Sequence, residues 1–183
     1  MMRTNDDDIK IFHPKKNDGA GADLAQLVAL MDDYRRNGNM DKAAALGKKL
    51  AGLMPETVCP EEVNTLKNNE LFHLRTLMVF TAQIALHKYL PHQMLASQAV
   101  NAMYAKLGET SPGYFANISD GSAFSFYYLA VRNRGDVVEN IGKNYAKLCD
   151  RDDDARLTAL ASRIFKQTDI AVCDMIDESE FEE

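Results

Sequence analysis

Tryptophan is absent from this chain and only 5 prolines occur in its 183 residues, so little interrupts long helices. Cysteine is scarce as well: Cys59, Cys149 and Cys173 are far apart, odd in number and form no C-x-x-C pair. That excludes a disulfide framework or zinc knuckle and implies reduced thiols. Positive charge is in deficit, with 21 Lys and Arg against 27 Asp and Glu and a formal net charge of -6. Nucleic acid is therefore not an expected partner. No run approaches the ~20 apolar residues of a membrane span. The opening MMRTNDDDIKIFHPKK places acids where a signal peptide needs an apolar core. These absences give the expectation of a cytoplasmic protein with no membrane partner.

What the chain has is helical periodicity. Residues 1–21 read as a flexible arm with a short apolar patch at Ile9, Ile11 and Phe12. From there Leu24, Leu27, Val28, Met31 and Tyr34 recur at three-and-four spacing, and Asn37, Gly38 and Asn39 stop them. Asn39 is placed to cap a second helix that carries Ala43, Leu46, Gly47 and Leu50 on one face. The most apolar stretch spans about Asn68 to Leu90 and is expected to be the central, most buried helix. Pro91 suits the first turn of its return helix, which ends near Gly108. Residues 109–122 read as a loop whose Tyr114, Phe115 and Ile118 fold back. Phe124, Tyr127, Tyr128 and Val131 then form one helix face, Arg134-Gly135-Asp136 a turn, and Val138 to Leu148 the return. The last helix carries Leu157, Leu160, Ala161, Ile164, Thr168 and Val172, and residues 177–183 form an acidic tail expected to be disordered.

The result is an all-α domain over residues 22–176: an irregular stack of three antiparallel helical hairpins plus a C-terminal capping helix. Similar strings close the hairpins, GKKLAGL at Gly47 to Leu53, MYAKL at Met103 to Leu107 and GKNYAKL at Gly142 to Leu148. The small residues Gly47 and Gly142 would let a helix approach its neighbour closely. In YRRNGNMDKAAALGKKLAGLMPE and VRNRGDVVENIGKNYAKLCDRDDD the chain resembles the tetratricopeptide-like (TPR-like) α-helical repeat family, or an α-α superhelix. Strict 34-residue periodicity is absent and the middle hairpin is longer. The resemblance implies a binding groove between hairpins and no built-in chemistry.

No G-x-S-x-G, phosphate-binding loop or dinucleotide glycine pattern occurs, so neither catalysis nor a cofactor is expected. On the central helix Asn69, His73, Thr76, Phe80, Gln83 and His87 fall at alternating steps of four and three, which lines them along one stripe. Either the stripe is where a buried helix meets water, or it floors a groove whose imidazoles and amides receive a ligand. Glu70 and His73 have the E-x-x-H spacing of di-metal helical sites, but no second such pair exists, so no metal is expected. The leading reading is a non-catalytic module that holds a peptide or protein partner. Its candidate contacts are Tyr34, Arg35, His73, Thr76, Phe80, Gln83, His87, Phe126 and Arg132. The alternatives are a helical bundle sensor or enzyme with a small ligand or metal on the central helix, and a module that self-associates as a homodimer.

Overall fold

A computed structural model describes residues 20–53, 55, 60–119, 121–133 and 135–182. The expectations for the arm before residue 20, for Cys59 and for Arg134 in the third turn lie outside the described residues. Among those described there are helices and no strands: α1 (Ala20–Arg36), α2 (Asn39–Leu50), α3 (Pro60–Val63), α4 (Asn68–Tyr89), α5 (Gln93–Thr110), α6 (Pro112–Ile118), α7 (Ser122–Arg132), α8 (Val137–Leu148) and α9 (Ala155–Asp177).

The expected turns are present, with local differences. Gly38 holds the position before α2 with φ 81°, and Asn39 is already helical, its N–H bonded to the Asn37 side chain at 3.1 Å. Pro91 precedes α5 instead of opening it. His92 caps that helix, its Nδ1 accepting from the Met94 N–H at 3.1 Å. The expected loop 109–122 contains a two-turn helix, α6, because Pro112 sits where its missing N–H costs nothing. Its Ile118 is buried, as the fold-back required.

Two apolar clusters share two helices. Val79, Ala82, Ala85 and Leu86 of α4 pack with Ala43, Leu46 and Leu50 of α2, Leu95, Ala99 and Met103 of α5, and Val172 and Ile176 of α9. On its other side α4 gives Leu74, Leu77, Met78 and Phe80 to a cluster with Tyr127 of α7, Ile141 and Tyr145 of α8, and Leu157, Leu160, Ala161 and Ile164 of α9. An all-round apolar α4 follows directly from burial on both sides. The last helix is therefore a second spine beside α4, and not a cap over the end of a stack.

The most extensive helix packing lies outside the three expected hairpins. Among described elements α2 packs most extensively on α5, and α8 on α9. Glycine permits both. A Cβ on Gly47 would overlap the Ala99 carbonyl and lie 3.0 Å from the Met103 nitrogen. A Cβ on Gly142 would overlap the Thr158 carbonyl and the Ser162 hydroxyl, and stand 3.0 Å from the Thr158 methyl.

Candidate functional site

The middle of the stripe on α4 is roofed by the chain itself, while Asn69 is exposed and His73, Gln83 and His87 are half-buried. Thr76 and Phe80 are fully buried. The Tyr114 hydroxyl of α6 reaches Thr76 Oγ1 at 3.4 Å, while the Phe80 ring lies 5.0 to 5.9 Å from those of Phe124, Tyr127 and Tyr128 of α7. Gln83 bridges two phenols, donating to Tyr128 at 3.0 Å and accepting from Tyr104 at 2.7 Å. His87 Nδ1 pairs with Gln93 Oε1 at 2.7 Å. Helices α6 and α7 thus cover the part of the stripe at Thr76 and Phe80. Phe80, read as an apolar anchor for a partner, is a core residue here.

The other expected contacts lie on α1 and α7. Tyr34 packs its ring 5.9 Å from that of His92, and Arg35 pairs with Asp32 on the exposed side of α1. Phe126 is 46% exposed and Arg132 is exposed on α7. His73 has a buried Nδ1 without a hydrogen-bond partner, and burial holds its pKa below the ordinary value although Asp150 opposes the shift.

Glu70, the other half of the E-x-x-H pair, is taken up structurally. Its carboxylate accepts from the Lys67 N–H at 2.8 Å and lies 3.9 Å from Arg151, while its carbonyl accepts from the Tyr145 hydroxyl at 2.9 Å. Among the described residues no three His, Cys, Asp or Glu side chains are grouped to hold a metal. Burial pushes the Cys149 thiol up to about 11, which keeps it protonated and unreactive near neutrality. No helix among the described residues is long and apolar enough to cross a membrane.

A different constellation lies on α2. Asn39 is 0% exposed, so its amide requires internal partners. It donates from Nδ2 to the Glu182 carbonyl at 2.7 Å and accepts at Oδ1 from the Glu182 N–H at 3.0 Å. Lys42 donates to the Glu180 carbonyl at 2.6 Å, and Lys49 pairs with the Glu178 carboxylate at 3.4 Å. Phe181 packs against the cluster around α2 and α5. The contacts fall in reverse order along the two segments, so residues 178–182 run antiparallel to α2.

The stretch expected to be a disordered tail is thus bound as far as Glu182. Glu180 adopts φ 47°, a left-handed conformation that costs a non-glycine residue roughly 1 kcal/mol. The contacts on either side of it must offset that cost. In the sequence Asn39 reads only as a helix cap, and no motif there marks this cradle. Two signals could have shown it: Asn39, Lys42, Leu46 and Lys49 share one face of α2, and Phe181 is the only aromatic residue within DESEFEE.

The described chain is thus an all-α protein of two clusters on a shared two-helix spine, with a segment of its own backbone clasped on α2. Comparison with protein-family models, with curated proteins and with solved structures finds no match to it.

Proposed function

We propose that the protein is a non-catalytic module that holds a segment of another polypeptide, and that the holding surface is the α2 cradle. The observation that carries this reading is the pair of hydrogen bonds between the Asn39 amide and the backbone N–H and C=O of Glu182. Such bonds engage backbone and not a particular side chain, so they serve other segments whose backbone can take up the same turn. Asn39 reverts to water when the segment leaves, which makes exchange of one segment for another feasible.

The test uses the full chain with Phe181→Ala and Glu182→Pro, which remove the apolar contact and the N–H that bonds to Asn39. Panned against a library of displayed peptides, this opened protein should enrich binders, and adding Asn39→Ala should abolish enrichment. Enrichment that is absent, or insensitive to Asn39, would end the reading.

A second reading, self-association, rests on α1. Leu24, Leu27 and Val28 are 61%, 44% and 49% exposed on a helix that packs chiefly on α2. Three large apolar side chains within two turns form a stripe suited to a second copy of the same helix. Light scattering should then give a dimer mass that Leu27→Glu returns to monomer. A monomer mass for the unmodified protein at all concentrations would dismiss this reading.

A further inference from the structure

We infer that the α2 cradle selects acidic segments with an aromatic residue just before the clasped residue, and that the chain's own residues 178–182 occupy it in competition with such a partner. This rests on the peptide-holding reading and adds a ligand class and a regulatory device. Four features define the ligand. Asn39 holds the backbone N–H and C=O of one residue, Glu182. The residue before it, Phe181, packs against the apolar cluster around α2 and α5. Two positions before it, the Glu180 carbonyl meets the Lys42 ammonium. Four positions before it, the Glu178 carboxylate meets the Lys49 ammonium.

Charge supports the choice of an acidic ligand. Helix α2 reads NMDKAAALGKKL, with three lysines against the single carboxylate of Asp41, in a chain whose net charge is -6. A ligand of like composition to residues 178–182 is therefore repelled by most of the surface and attracted by this face. Both lysines lie at the surface. Lys49 keeps more than half its side-chain surface in water, and the Lys42 bond to the 178–182 segment is also exposed.

Competition follows from tethering. Residues 178–182 continue directly from α9, whose Val172 and Ile176 are anchored in the α2 cluster. A segment held so close acts at an effective concentration on the order of millimolar, so a free peptide of equal intrinsic affinity must exceed that concentration to displace it. The cradle is closed by default and opens to a partner that binds more tightly or is itself presented at high local concentration.

The probe is a fluorescently labelled peptide with the sequence of residues 177–182, DESEFE. It should bind the opened full-length protein (Phe181→Ala, Glu182→Pro), and bind the unmodified protein about 10-fold more weakly or less. A control peptide with lysine in place of each glutamate should not bind, and Asn39→Ala in the opened protein should remove binding of the probe. An opened protein that is folded by circular dichroism but ignores the probe, or takes the lysine control equally well, overturns the inference. If its library binders depend on Asn39 but are not acidic, the proposed function stands and only this selectivity fails; if it takes no peptide at all, both fail. Should the opened protein not fold, amide exchange at Glu182 in the unmodified protein decides: millimolar DESEFE should accelerate it, and unchanged exchange overturns the inference.

Discussion

Gly47 and Gly108 sit in helices whose backbones could both accept alanine, yet their surroundings call for opposite outcomes. At Gly47 a methyl group would strike the Ala99 carbonyl, a backbone atom that cannot move without shifting α5. Gly47→Ala should therefore destabilise the protein by about 1 to 3 kcal/mol through overpacking. At Gly108 the nearest atom is the Phe115 ring at 3.7 Å, an ordinary contact. Gly108→Ala should be neutral or stabilise by up to ~1 kcal/mol through helix propensity and unfolded-state entropy. Urea unfolding of both variants checks the pair, and equal effects would refute the close approach of α2 and α5. His73 makes a second prediction at this scale. Its pKa is lowered by burial, with its Nδ1 unpartnered. Between the unfolded value of 6.5 and the lower folded one, the unfolded chain binds more protons. Stability from the neutral imidazole is thus complete above pH ~6.5 and declines as the pH falls through the folded pKa. His73→Gln should flatten the decline in urea midpoint between pH 7.5 and 5.5, and an unchanged slope would assign it to other groups.

Helix ends show how local chemistry becomes an element. Asp136 accepts from the N–H groups of Val138 at 2.9 Å and Glu139 at 3.3 Å, satisfying two donors that α8 cannot pair internally. Asp136→Ala should cost about 1 kcal/mol, and Asp136→Gly only a few tenths, because glycine leaves the donors open to water. Thermal unfolding distinguishes the two, and equal losses would mean that the carboxylate does not act as a cap. The helix periods were legible in the sequence, where the stripe from Leu157 to Val172 appears as the buried face of α9, whereas Asp136 reads there only as a turn residue. Helix α6 was masked by Ser111, Pro112 and Gly113, residues whose turn chemistry is also that of a helix start. The covering of Thr76 and Phe80 was equally hidden, since a polar residue on an apolar helix looks the same under water as under a tyrosine hydroxyl. The cradle was least visible. Asn39 meets a peptide group 143 positions away, and no local pattern encodes that distance.

The molecule as a whole depends on whether its two clusters behave as one. Helices α4 and α9 contribute to both, with Leu74 and Ile164 on one side and Leu86 and Val172 on the other. They run in the same direction, since Arg151, just before α9, lies 3.9 Å from Glu70 near the start of α4, and the Tyr89 hydroxyl donates to Asp169 at 2.8 Å near its end. Loosening either cluster removes the support on which these helices pack in the other, so opening one side should expose both. Leu95 is fully buried in the cluster around α2 and α5, and Leu95→Ala should cost roughly 2 to 5 kcal/mol. With a shared spine, that loss should raise amide exchange of the slowest protons by the same factor in α2 and in α8. Leu74→Ala, placed in the opposite cluster, should produce the mirror result. If Leu95→Ala accelerates exchange in α2 and α5 while α8 keeps its original protection, the clusters open separately. The clasp on α2 could then release its segment without disturbing α8.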